Sequence, residues 1–339
     1  MVAVSELHDS AVVVDGLVFF SDGNTRDMLA GGVSAINLTV TDMRSDFEQA
    51  LCDAMTWRER CLAPDSDWLL VERAGDITRA KASGRLGLIM GWQNGRPLGD
   101  RLERIALFHT LGIRVIQLTY NEANLIGDGC LEKRNAGLSS FGIEAVHELN
   151  RVGIAIDLSH CAAQTCLDAA HHSSRPVLLT HANANAVIQR PRNKSDEVIK
   201  AVAQSGGVIG CSIHAYLNWR GDPRQQPTLD DFVANIKYIG DLVGYEHVGI
   251  GTDFPAVDTY EAVRHVMVMS RTKYAASGGD FSNAFGDVME ARYPVETPTP
   301  AYYARLTQAL ADGGLSDAQI LGVLGGNFVR VYDAIWSTH

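Results

Sequence analysis

The chain has 339 residues, of which 46% are hydrophobic and 20% charged, and its formal net charge is −11. That length exceeds the usual domain but suits an α/β barrel with insertions, and the apolar share can fill a large core. The acidic balance, with no dense Lys/Arg tract, argues against nucleic-acid or anionic-membrane partners.

The N-terminus, Met1 to Asp9, lacks a basic stretch leading into a long apolar core, so no secretory signal is expected. No apolar run approaches the ~18 residues of a membrane span. Six cysteines at 52, 61, 130, 161, 166 and 211 show no paired spacing and read as reduced, mostly buried thiols. A cytoplasmic location follows as the expectation.

In chain order, apolar runs fall at 11–16, 33–40, 86–92, 113–119, 153–159, 176–180, 207–213 and 247–252. Most are near-continuous rather than alternating, as parallel strands covered on both faces should be. Helical patterns lie between most of them. Residues 98–111 gather Leu98, Leu102, Ile105, Ala106 and Phe108 near one face before the stop at Gly112. Ser195 caps a helix ahead of Gly206-Gly207, and 230–243 and 316–335 predict two more. Eight strands alternating with helices predict a TIM-type (β/α)8 barrel in one domain over 1–339. The Pro/Gly/Ser-punctuated stretch around 255–298 predicts an irregular segment over the barrel mouth.

In such a barrel the C-terminal strand ends converge on one mouth. Three runs end on chemistry there: Gly153 to His160, Pro176 to His181 and Val248 to Asp253. His160 and His181 are candidate metal ligands, the bland alternative being two hydrogen-bonded strand-end histidines. Gln93 and Asn94 end another run and could hydrogen-bond a substrate amide or a water. The polar loop 121–132 follows the fourth run and is expected to shape specificity through Asn121 and Glu132, while Asp128, Cys130 or Glu132 could supply a further ligand or base. Ordinary turn chemistry around Gly127 and Gly129 is the alternative for that loop. His214 is a lesser candidate at the same mouth, and His171-His172 read as helix C-terminal charges.

Taken together, Asp157-Leu-Ser-His160, Thr180-His181 followed by Arg190-Pro-Arg-Asn-Lys-Ser-Asp196, Gly249-Ile-Gly-Thr-Asp253-Phe and Leu321-Gly-Val-Leu-Gly-Gly-Asn327-Phe-Val-Arg330 resemble the renal, or membrane, dipeptidase family of amidohydrolase-like zinc peptidases. The resemblance runs nearly end to end. It implies a binuclear zinc centre, with a His-x-Asp on the first strand, two His on strands five and six, and a bridging Glu on strand three. His160 and His181 match the pair. The first-strand His and Asp fall on Leu17 and Phe19, the bridging Glu on Gln93, and the family's substrate-side His on Tyr120. Arg192, which the resemblance assigns to a substrate carboxylate, and Asp253, assigned to the catalytic water, are present.

Leu and Phe cannot ligate, and a neutral Gln amide is a weak donor for zinc, so one zinc ion is expected and the second site is expected to be lost. The expected function is amide hydrolysis in a small carboxylate-bearing, dipeptide-like substrate. His160 and His181 would hold the metal, Asp253 would move the proton, Arg192 would dock the carboxylate, and Gln93 and Tyr120 would orient substrate or water. The alternatives are a metal-dependent lyase or decarboxylase on an amino-acid derivative, or a catalytically silent binding protein. The expected partners are a small-molecule substrate and, in a homo-oligomer, further copies of the chain, with neither nucleic acid nor membrane.

Overall fold

The structure is a computed structural model that describes residues 3–220, 225–257 and 292–337. Within them the strands are β1 (Val14–Ser21), β2 (Ala35–Thr39), β3 (Trp68–Leu70), β4 (Leu86–Trp92), β5 (Ile113–Gln117), β6 (Ala155–Asp157), β7 (Val177–Leu178), β8 (Ile209–Cys211), β9 (Val248–Ile250) and β10 (Phe254–Ala256). Eight of them run side by side in the order β7-β6-β5-β4-β2-β1-β9-β8, all pairs parallel. A parallel bridge between Leu179 and Ile209 joins the two ends, with Leu179 N donating to Val208 O at 3.0 Å. The sheet thus closes on itself, and helices connect its strands, giving the expected (β/α)8 barrel. Every residue of β2 and β4 is buried, which explains their near-continuous apolar runs.

Two strands were not foreseen. β3 is three residues long and pairs with the start of β4, and β10 pairs with the far end of β1. β9 and β10 both lie against β1 and are interrupted at Asp253, whose φ of +61° turns the chain between them. Such a backbone is uncommon for a residue with a Cβ and recurs at functional positions.

Two expected helices are broken. After a 3-10 turn at Arg96–Leu98, Gly99 adopts φ 57°, ψ −132°, so the α-helix begins only at Glu103 and ends at Leu111. The last helix divides into Asp317–Leu321 and Asn327–Trp336 around a π turn at Gly322–Gly326. A Cβ on Gly325 would lie 2.7 Å from Val14 N, so the turn lets the chain press against β1.

The segment Asn327–Trp336 fills one end of the barrel. Phe328, Val331, Tyr332, Ile335 and Trp336 join Val14, Ala35, Ile89, Val115, Ala155, Leu178 and Val208 in one apolar cluster. The Phe328 ring occupies space that side chains at Gly16 and Gly249 would need, since a Cβ at either position would stand 2.6 or 2.5 Å from a ring carbon. Helices cover the outer faces of the strands in a second, larger cluster. With one end plugged, the strand C-termini are left to build the site. No helix among the described residues is long and apolar enough to cross a membrane. Of the segment expected around 255–298, residues 258–291 lie outside the described residues.

Candidate active site

His160 and His181 lie just beyond the ends of the adjacent strands β6 and β7, and both are buried. Their Nε2 atoms meet at 3.0 Å. The opposite nitrogens are fixed from behind. His160 Nδ1 donates to Asn121 Oδ1 at 2.7 Å, while the Tyr120 ring stacks on the imidazole at 4.1 Å. His181 Nδ1 lies 2.9 Å from Thr180 Oγ1, whose own hydrogen goes to Asp157 Oδ2 at 2.7 Å. Thr180 Oγ1 therefore accepts from His181.

Both rings thus carry hydrogen on Nδ1, and two Nε2 lone pairs face each other. Lone pairs at that separation repel unless a cation lies between them, and the candidates are a proton and a metal ion. Burial, then the Arg192 charge, hold both imidazoles well below the usual histidine range. That disfavours the proton. The spacing is also within twice the ~2.0–2.1 Å of a zinc–nitrogen bond. The pair therefore fits one metal ion.

At the positions expected to serve a second ion, the side chains offer no such cradle. Leu17 is buried midway along β1 and Phe19 is half-buried two residues on, with no donor on either side chain. Gln93 Nε2 donates to Thr39 Oγ1 at 3.0 Å. No group of three His, Cys, Asp or Glu side chains placed to hold a metal occurs among the described residues.

Arg192 is buried in the middle of this mouth. Its Nη1 donates to Ser159 O and its Nη2 to His181 O at 2.8 Å, tying together the ends that carry the two histidines. Its positive charge is felt by His160, His181, His214 and Asp253. Asp253 N donates to Leu17 O at 3.0 Å, and Tyr293 OH donates to Asp253 O at 2.7 Å. Burial pushes the Asp253 carboxyl up to about 7, with Arg192 pulling down, Asp15 pushing up and Arg292 pulling down. His214 Nδ1 accepts from Tyr216 N at 3.3 Å, and burial depresses its pKa to about 3.

The remaining expected residues serve the walls. Asn121, expected to meet substrate, is the hydrogen-bond partner of His160, and its Nδ2 is buried without a partner. Asn94 donates to Met43 O and accepts from Asn124 Nδ2, so both ends of its amide join loops. Glu132 Oε1 accepts from Ala123 N at 3.0 Å within its own loop. Asp128 is held by Arg134 at 2.6 Å, and Cys130 Sγ approaches Asn121 Oδ1 rather than a free Nε2. His171 and His172 close the helix Ala163–His172, as expected.

Several contributors were not evident from the sequence. Asp15 accepts from Leu17 N, Thr252 N and Thr252 Oγ1, clamping β1 to the turn that presents Asp253. Asp157 accepts from Ser159 and Thr180 and thereby sets the His181 ring. A buried acid inside an apolar run was a usable signal for both. Arg292 and Tyr293 reach the mouth from far along the chain, and nothing local announced them.

The model of the membrane dipeptidase family (peptidase family M19) matches residues 19–271. Dipeptidase tcpJ of Claviceps purpurea is 31% identical over 221 residues, which are 64% of this chain and 50% of that protein. Dipeptidase verJ of Clonostachys rogersoniana is 29% identical over 268 residues, 78% of this chain and 60% of that one. The chain thus spans about half the length of the curated relatives it matches. Among solved structures, an amidohydrolase from Pseudomonas aeruginosa superposes with a TM-score of 0.86 at 31% identity, covering 99% of this chain and 100% of its own.

Proposed function

Because the chain belongs to the membrane dipeptidase family, we propose that it is a metal-dependent hydrolase working with one zinc ion, cleaving an amide bond in a small carboxylate-bearing, dipeptide-like molecule. The observation that carries this reading is the His160–His181 pair, two buried nitrogen lone pairs aimed at one point. The loss of donors at Leu17, Phe19 and Gln93 supports a single ion.

A zinc ion held by His160 and His181 would supply Lewis acidity, polarising the scissile carbonyl and acidifying a water. Asp253 takes the proton of that water and delivers it to the leaving amine, a task that suits a carboxyl lifted to about 7. Arg192 has three N–H groups beyond its two carbonyl bonds and draws the substrate carboxylate by charge. Tyr120 covers one face of His160 and narrows the approach to it. Gln93 Oε1 makes no hydrogen bond among the described residues and is an acceptor for water or a substrate N–H.

The test is a panel of dipeptides and N-acyl amino acids assayed with zinc, products being followed in water labelled with heavy oxygen. Slow but zinc-dependent hydrolysis that incorporates label into the released acid supports the reading. Cleavage without label incorporation would assign a lyase reaction instead.

A further inference from the structure

Behind His160 lies a cluster that the hydrolytic reading does not use. Lys194 is 3% exposed, and its ammonium meets no carboxylate among the described residues. Its Nζ donates to Cys161 O at 2.6 Å and to Cys166 Sγ at 3.6 Å. A buried ammonium is costly unless an anion compensates it, and Cys166 is the side chain in contact that can become one. Cys161 precedes the N-cap Ala162 and Cys166 is the fourth residue of the helix Ala163–His172. Side chains at those two positions pack together, and Cys166 Sγ donates to Cys161 O at 3.7 Å. A cleft of about 260 Å³, lined by Cys130, Cys161, Arg190 and Lys194 among others, reaches Cys161 and Lys194, with Cys166 buried directly behind them. All six cysteines are unbridged.

We propose that Cys161 and Cys166 form a reversible disulfide driven by hydrogen peroxide, with Lys194 activating Cys166. The Cys166 thiolate attacks one peroxide oxygen, the O–O bond breaks, and a sulfenic acid and hydroxide result. Cys161 sulfur then attacks the sulfenic sulfur. Its thiol proton leaves with the sulfenic oxygen as water, and the released hydroxide takes a proton from solvent. Two thiols are oxidised by two electrons and one peroxide is reduced to two waters. Peroxide is small enough to enter the cleft, and the staple geometry brings the second thiol to the first.

The experiment exposes the reduced protein to hydrogen peroxide, blocks free thiols by alkylation and maps tryptic peptides. Residues 152–192, between Arg151 and Arg192, carry both cysteines, because trypsin leaves the Arg175–Pro176 and Arg190–Pro191 bonds intact. The expected result is that this peptide loses two hydrogens, resists alkylation at both sulfurs and recovers with a thiol reductant. Lys194→Met should slow the change on the order of tenfold, while the exposed Cys52 reacts as before. Should that variant fold poorly, Cys166→Ser serves, and Cys161 must then stay alkylatable after peroxide. Full alkylation of 161 and 166 under conditions that oxidise Cys52, or bridging at an unchanged rate in folded Lys194→Met, overturns the proposal.

Discussion

His160 Nε2 faces His181 Nε2 across 3.0 Å, and each ring is held in place by a hydrogen bond on its other nitrogen. The convergence therefore depends on Asn121 and on the Thr180–Asp157 pair as much as on the histidines. Groups that orient a metal ligand typically contribute 10–100-fold, as an order of magnitude, to metal affinity. Asn121→Ala and Thr180→Val are each expected to weaken zinc binding by about that factor, read by competition with a chromophoric chelator. Affinity unchanged in both variants would mean that the rings need no such support.

Asp253→Asn should reduce turnover by about 10²–10⁴-fold, the usual contribution of a general base, while leaving metal content intact. In the parent enzyme kcat/KM should rise with pH through a limb near 7 as the Asp253 carboxyl ionises. A pH profile flat from 5 to 8 would remove Asp253 from the role of base.

The same carboxyl has a stability signature. Its folded pKa of about 7 lies above the ordinary 3.8, so the folded state binds the extra proton between those values. Its stabilising contribution is present below about 3.8 and is lost as pH rises through about 7. Against the parent protein, Asp253→Asn should gain relative stability across that window, on the order of 4 kcal/mol at full separation. Denaturant unfolding at pH 5 and pH 8 measures the difference, and a pH-independent gap would contradict the raised pKa.

The order of the barrel was legible because buried parallel strands leave near-continuous apolar runs, and the runs at 86–92 and 113–119 cover β4 and β5. The short β3 follows Asp65-Ser-Asp67 and has too few residues to stand out, and Pro255 hides β10. His160, His181 and Asp253 were legible because each ends a strand. Asn121 was legible as a site residue but not as the support of His160, because that partner lies 39 positions away and only the folded barrel brings them together. Gly99 and Gly325 broke helices whose apolar spacing alone argued for continuity.

Arg192 both ties Ser159 O to His181 O and faces the site. Arg192→Ala should raise KM for carboxylate-bearing substrates by an amount worth about 2–3 kcal/mol and also loosen the histidine pair. Arg192→Lys keeps the charge but cannot bridge both carbonyls in a planar fork, so it should recover KM more than metal affinity. Equal recovery of both would assign Arg192 a purely electrostatic part.

The central claim, one metal ion held between His160 and His181, is tested most directly by elemental analysis of the protein purified without added metal and after zinc reconstitution. The account predicts no more than one zinc per chain at saturation, and none retained after dialysis in His160→Ala or His181→Ala. Two ions per chain, or one that survives the loss of both histidines, would contradict it.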